Sequence, residues 1–284
     1  MTPVVAVIAP GAMGAAVGRR LVDHGVKVLT SLAGRSRASV ARASEAGMLA
    51  ASEDEIAASD FILSILPPGD ALSLAERLAP ALTKSNAKPV YVDCNAINPA
   101  TVERVAAAIA PTACPFVDSG IIGAPPKGED AGPRFYACGE AAARFAALRQ
   151  YGLDIRVLDG PAGAASALKM SYAGITKGTQ ALGAAMLLAA IRAGSADVLL
   201  EELSFSQKQM LAMFKQQLPM MPAKAYRWIA EMHEIAGFVG EDPAARELYE
   251  GAAHFYERIA EDFAGDGRDV AALKALLDQA TSKD

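Results

Sequence analysis

Near the N-terminus an apolar run, Val4–Ile8, breaks into Ala9-Pro10-Gly11-Ala12-Met13-Gly14 and then into a helical pattern with apolar residues at Val17, Leu21 and Val22. A strand, a glycine turn and a helix in that order can bind a pyrophosphate. The helix N-terminus offers N–H groups without intrahelical partners and the positive end of its dipole, and a glycine in the turn lets the anion reach the backbone. Gly11 fills that place and Gly14 the place where helix packs on strand, which makes Gly11, Ala12 and Met13 the candidate pyrophosphate contacts. Ala9 stands where the fingerprint has its first glycine, with Pro10 fixing φ behind it, so the turn is made without one of its usual residues. Glycine turns also join strands to helices in many α/β proteins that bind nothing there. Position at the first strand of a long alternating domain favours a dinucleotide.

The end of the second strand selects the dinucleotide. An Asp or Glu about 20 residues on would bind the adenosine ribose 2′-hydroxyl, yet no acidic side chain lies between Asp23 and Glu45. Thr30-Ser31-Leu32-Ala33-Gly34-Arg35-Ser36-Arg37 instead offers hydroxyls and two guanidinium groups, which suit a 2′-phosphate because they stay charged and bind it through paired hydrogen bonds. Ser31 and Arg35 are the candidate ligands. NADP(H) is expected in preference to NAD(H), which stays as the alternative cofactor; the competing reading is a solvated basic loop that opens the next helix.

These groups need a scaffold, and the sequence supplies one. Up to about residue 160, short apolar runs alternate with helical segments, as βαβ units do in a parallel sheet covered on both faces. Strands are expected at 4–8, 26–30, 60–66, 90–94, 116–118, 135–138 and 155–158, with a short one near 48–51; helices are expected at 12–24, 37–46, 70–81, 99–109 and 140–150. After Gly160-Pro161 the pattern becomes helical throughout, at 162–191, 196–217, 223–238, 243–263 and 270–281. The expected division is a dinucleotide-binding domain at 1–161 and a helical substrate and dimerisation domain at 162–284. The first of these helices is long, rich in small residues and apolar around much of its circumference, so it is expected to be buried between domains or subunits.

Composition sets the remaining bounds. The 284 residues carry 27 Lys and Arg against 32 Asp and Glu, a net charge of -5, and no basic block, which leaves nucleic acid without an electrostatic attractor. Three cysteines, Cys94, Cys114 and Cys138, form neither an even disulfide set nor a metal-ligand spacing, so a reducing cytoplasm is the expected compartment. The apolar N-terminus lacks a basic n-region, and the uncharged stretch 178–191 is shorter than the about 20 residues a membrane helix needs. His24, His233 and His254 are scattered singly, and no metal is assigned.

The Gly11-Ala12-Met13-Gly14 turn, Leu66-Pro67-Pro68, Asp93-Cys94-Asn95, Asp118-Ser119-Gly120-Ile121-Ile122-Gly123 and Lys169, in this order and spacing, resemble the β-hydroxyacid dehydrogenases, the group of 3-hydroxyisobutyrate and 6-phosphogluconate dehydrogenases. The resemblance covers the whole chain. It is strongest to a branch with its own helical C-terminal domain, marked by 168–173 and Thr176-Lys177-Gly178. It implies an α/β plus all-α fold, a Rossmann doubly wound sheet followed by helices, and a cofactor lying across the strand ends with Leu66 and Pro67 on the nicotinamide side and Asn95 near its ribose. Pro67-Pro68 would in any case end a strand.

The same resemblance places Lys169 as the group that takes or returns the hydroxyl proton in hydride transfer. Its surroundings suit a lysine tuned by burial, since it is the only charge between Asp159 and Lys177; a lysine snorkelling from a helix is the alternative. Two features depart from the family. Tyr172 and Ala173 stand where an asparagine is expected one turn on, and Tyr172 either donates its phenol to a carbonyl oxygen or fills space in a helix interface. Ile122-Gly123-Ala124 replaces a serine–glycine–glycine run, which leaves Ser119 and the backbone around Gly120 as substrate donors and points to a bulkier or less charged substrate than a simple 3-hydroxy acid. Trp228, the only tryptophan, and Glu231 share a helix face that either borders a pocket or belongs to an ordinary core-and-surface helix. The expected activity is NADP-dependent oxidoreduction of a small β-hydroxy or carbonyl compound by a homodimer or higher homo-oligomer. Imine reduction and non-catalytic dinucleotide sensing are the rivals.

Overall fold

The computed structural model describes residues 2–128 and 130–281. Eight strands form one sheet: β1 (Val4–Ile8), β2 (Lys27–Thr30), β3 (Leu49–Ala50), β4 (Phe61–Ser64), β5 (Val90–Asp93), β6 (Phe116–Ile122), β7 (Arg134–Cys138) and β8 (Asp154–Val157). Their order is β3-β2-β1-β4-β5-β6-β7-β8. Strands β1 to β6 are parallel, β7 runs against β6, and β8 runs with β7. The order reverses between β1 and β4, the point at which open α/β sheets form their ligand crevice.

The crossovers are α1 (Ala12–Asp23), α2 (Arg37–Glu45), α3 (Glu53–Ala57), α4 (Ala71–Lys84), α5 (Pro99–Ile109) and the short α6 (Ala142–Phe145). Because side chains alternate along a strand, β1 sends Val5 and Val7 to one face and Ala6 and Ile8 to the other. The first pair joins Val28, Leu63, Val92 and Val117 under α1, α2 and α6; the second joins Leu29, Ile62 and Tyr91 under α3, α4 and α5. Burial on both faces explains why these strands read as continuous apolar runs. Pro99 at the first turn of α5, behind an Asn98 cap that accepts from Thr101 N, fixes the entry of that helix.

Contacts divide the chain into Met1–Met170 and Ser171–Asp284, so the division falls after Met170 where sequence placed it at 161. The reason is local: the first turns of α7 (Ala164–Ala193) are bonded to β6. The second unit continues through α8 (Ala196–Ser206), α9 (Lys208–Gln217), α10 (Pro222–Phe238), α11 (Pro243–Ala264) and α12 (Arg268–Thr281), with α10 and α11 packed along their lengths. Among the described residues no helix is long and apolar enough to cross a membrane, and no group of three His, Cys, Asp or Glu side chains converges as a metal site would.

Three local departures have physical causes. Strand β6 runs on to Ile122, past the expected 118, because Ser119 to Ile122 pair with Ala137 to Arg134 of β7. The segment expected as one helix at 196–217 breaks at Gln207, at φ -135 and ψ 46. Just before the break Ser204 and Ser206 turn their hydroxyls back onto Glu201 O and Glu202 O, a local competition with the helix ladder. Helix α3, which sequence did not anticipate, is held by a capping box between Ser52 and Glu55.

The turn from β1 into α1 stores strain. Ala9 sits at φ 69, left-handed backbone in an alanine, and Gly11 N–H donates to Ala9 O at 2.8 Å across Pro10. An L-residue there costs roughly 1–2 kcal/mol, of which glycine would return part through its larger unfolded-state entropy. Ala9→Gly is therefore expected to stabilise the protein by about 0.5–1 kcal/mol, read as a rise of about 2 °C in calorimetric melting. Unchanged or lower stability would show that the neighbours already absorb the strain.

Candidate active site

Strands β1, β2, β4, β5 and β6 are parallel, so their carboxyl ends share one edge of the sheet. That edge gathers Gly11, Ser31, Leu66, Asn95 and Ile121, each at or just beyond the end of its strand. The glycine turn has the geometry the fingerprint requires. No side chain caps the N-terminus of α1, a Cβ built on Gly11 would meet nothing within 4 Å, and one on Gly14 would fall 2.2 Å from Ala9 O. Gly11 is thus open toward a ligand, while Gly14 is demanded by packing alone. The turn is braced by a residue that sequence did not single out: Arg42 of α2 donates through Nε to Pro10 O at 3.0 Å and through Nη2 to Ser39 Oγ at 3.0 Å.

At the end of β2, Ser31 is buried and Arg35 half-buried, and the Thr30 hydroxyl has no hydrogen-bond partner among the described residues. Leu66 is half-buried and Pro67 exposed. Asn95, expected near the nicotinamide ribose, is 2% exposed and spends its amide inside the protein, accepting from Leu66 N at 2.5 Å and donating to Ser64 Oγ at 2.8 Å. Its geometry ties the end of β4 to the end of β5 and so sets where Leu66 stands.

Lys169 lies on the second turn of α7, half-buried, and donates from Nζ to Ile121 O at 2.8 Å. Two more contacts make this possible. A Cβ on Gly120 would come within 2.9 Å of both Ala165 O and Lys169 Cβ, so only a glycine lets α7 approach β6 this closely. Buried Asp118 holds the start of α7, its Oδ2 accepting from Gly163 N at 2.8 Å and Ser166 N at 3.0 Å, and its Oδ1 from Ser166 Oγ at 2.6 Å. The signal available in sequence was one acid in an otherwise uncharged strand, Phe116–Ile122.

Ser119 and Gly120, expected as substrate donors, lie inside β6. Ser119 is fully buried, and its hydroxyl faces the Cys94 thiol, which burial and then the charge of Asp93 push up. Tyr172 is exposed on α7. Trp228 packs within the helical unit: its ring meets Tyr256 edge-on at 5.2 Å, and the Lys177 ammonium sits 5.2 Å from its centroid.

The two glycines of the site predict opposite phenotypes. Gly120→Ala must push α7 off β6 against backbone atoms, and is expected to cost about 1–3 kcal/mol in urea unfolding. Gly11→Ala, at φ -70 and with open space, is expected to keep stability within about 0.5 kcal/mol while weakening dinucleotide binding in calorimetric titration.

Residues 4–150 match the NAD binding domain of 6-phosphogluconate dehydrogenase, and residues 190–259 match a domain of unknown function (DUF1932). No curated protein matches the chain. Among solved structures, a conserved protein of unknown function described as structurally similar to 3-hydroxyacid dehydrogenases is 29% identical, covering 90% of this chain and 98% of that one at a TM-score of 0.66. The Mycobacterium tuberculosis 3-hydroxyisobutyrate dehydrogenase with L-serine is 21% identical over 97% of this chain and 99% of that one, TM-score 0.69. An imine reductase from Myxococcus stipitatus in complex with NADP+ is 19% identical over 97% and 100%, TM-score 0.55. At those identities the last two show a shared fold. The matched dinucleotide domain spans more than half of the chain, and the chain belongs to the β-hydroxyacid dehydrogenase family, NAD(P)-dependent oxidoreductases that act on CH–OH groups.

Proposed function

We propose that the protein is an NADP(H)-dependent oxidoreductase that moves a hydride between the nicotinamide and a β-hydroxy acid or related hydroxy or carbonyl compound, with Lys169 as general acid/base. The observation that carries this reading is the seat of Lys169 at Ile121 O, at the same carboxyl edge as the glycine turn. Gly11, Ala12 and Met13 would hold the pyrophosphate at the uncapped start of α1. Ser31 and Arg35 would take the 2′-phosphate, and Leu66 and Pro67 would flank the nicotinamide, with Asn95 fixing Leu66 from behind. The bound cofactor supplies or accepts the hydride. Lys169 removes the proton of the substrate hydroxyl in the oxidising direction and returns it to the developing alkoxide in the reducing one. In the dinucleotide unit substrate contacts fall to the backbone near Gly120, while Ser119 needs a local opening of β6 before it can take part; in the helical unit Tyr172 is the exposed candidate and Trp228 packs against Tyr256. The buried free thiols of Cys94, Cys114 and Cys138 support residence in a reducing cytoplasm.

The helical unit also supports a homodimer. Leu168, Tyr172, Ile175, Leu182 and Met186 are exposed and recur on α7 at alternating spacings of three and four, with Thr179 completing the series. Such a stripe is the seam of a helix pair, and a second copy of α7 offers a matching one. Leu182→Glu is expected to convert a dimer to a monomer in light scattering; an unchanged mass would place the interface elsewhere.

Calorimetric titration with NADPH and NADH tests the cofactor. A preference for NADPH of tenfold or more, about 1.4 kcal/mol, is expected, and Arg35→Ala should reduce it. Lys169→Ala is expected to retain NADPH binding and lose turnover across a panel of paired ketones and imines. Turnover of imines alone would move the protein to imine reduction. Tight binding with no turnover of any substrate would make it a dinucleotide sensor, and binding of neither dinucleotide would overturn the reading.

A further inference from the structure

Strand β6 touches α7 at three successive heights. The Asp118 carboxylate meets the backbone of Gly163 and Ser166, the bare Cα of Gly120 meets Ala165 O and Lys169 Cβ, and Ile121 O receives Lys169 Nζ. Asp118 and Gly120 are two residues apart and share a face of the sheet. The first of the three lies at the end of α7 where the N–H groups lack intrahelical partners and the dipole is positive, which suits a carboxylate. A fourth donor completes the cap: the Cys138 thiol, on the neighbouring strand, donates to Asp118 Oδ2 at 3.3 Å while its sulfur accepts from Ala165 N at 3.2 Å. Burial, then the charge of Asp118, pushes Cys138 up to about 11, so the sulfur stays a thiol and a donor at neutral pH.

We propose that Asp118 is a positioning residue for Lys169: by fixing the height and rotation of the first turns of α7 on β6, it sets where the Lys169 ammonium stands. This rests on the reading of Lys169 as the acid/base group. Asp118 is wholly buried and reaches no reacting atom; it acts through the helix. A helix that starts from a carboxylate on the sheet cannot slide or rotate without breaking charge-assisted hydrogen bonds. Lys169, six residues beyond Gly163 and on the second turn of α7, inherits that constraint.

The test is Asp118→Asn, which keeps shape and removes charge and one acceptor. In the full-length protein NADPH affinity should stay within twofold, since the glycine turn lies on β1. The kcat should fall tenfold or more with a smaller change in KM, and the midpoint of the kcat–pH profile should move. A second readout needs no substrate: acylation of Lys169 by an amine reagent, followed by peptide mass spectrometry, should accelerate at least threefold while that of Lys88 is unchanged. A purely structural cap would lower the melting temperature and leave both Lys169 readouts in place. Acylation and kcat within twofold of the parent would overturn the proposal. If the parent turns over no substrate, the acid/base reading fails while the acylation arm still decides the positioning. Should Asp118→Asn not fold, Ser166→Ala, which removes one donor to the same carboxylate, is expected to move Lys169 acylation in the same direction by about twofold; no change would count against the proposal.

Discussion

Four hydrogen bonds converge on the Asp118 carboxylate, and the register of the helix that leaves the sheet depends on them. Removing a carboxylate from water costs several kcal/mol. Charge-assisted bonds of about 1.5–3 kcal/mol each, together with the positive end of α7, offset that cost only while all the donors stay aligned. The interaction is therefore demanding in geometry more than generous in stability. That is the property needed to hold a long helix in one place against a strand.

The same end of the sheet uses the opposite device at β1. There the start of α1 carries no side-chain cap, and the strand reaches it through Ala9 in a conformation that alanine disfavours, braced by Arg42 on Pro10 O. One helix start is closed by a protein carboxylate and the other has no side-chain cap. The open start follows from the rule that parallel crossovers begin their helices at the carboxyl edge of the sheet, whereas α7 leaves the sheet after β8, which runs against β1 to β6, and is bonded to β6 through Asp118. The difference lies in whether an acid stands on the adjacent strand.

How much of this could be read in advance depends on range. Apolar runs such as Val4–Ile8 and Val90–Asp93, and caps such as Asn98-Pro99, are local signals, and they located most strands and most helices within a residue or two. The glycine turn was legible for the same reason. The breaks were not, because Gln207 leaves the helix through serine hydroxyls that bond backward, and neither glycine nor proline marks the spot. Long-range roles were least visible. Asn95 and Ser119 looked like ligand groups in a row of letters, but whether a polar side chain faces a crevice or a neighbouring strand depends on pairings across the sheet. Gly120, read as a donor site, is also the place where α7 comes closest to β6, and that packing role carried no local signal.

In the helical unit, the run Thr176-Lys177-Gly178 that marks this branch has a packing explanation. Gly174 and Gly178 face Tyr249 on one side of α7; a Cβ at Gly174 would come within 2.9 Å of its hydroxyl, while one at Gly178 would meet its ring at an ordinary contact distance. Tyr256 donates its phenol to Lys177 O at 2.6 Å, and burial together with the charge of Glu231 pushes that phenol up and keeps it a donor. Lys177 pairs with buried Glu231 and lies over Trp228. A buried ion pair adds little net stability over apolar residues of the same volume, whereas removing one partner leaves a buried charge and is costly. Such a pair discriminates between registers of the α10–α11 hairpin on α7: a slide of one turn would strand both charges. The lysine at 169 and the lysine at 177 thus answer to different constraints, the first to the strand whose Ile121 carbonyl accepts from it and the second to the helices that define its own unit.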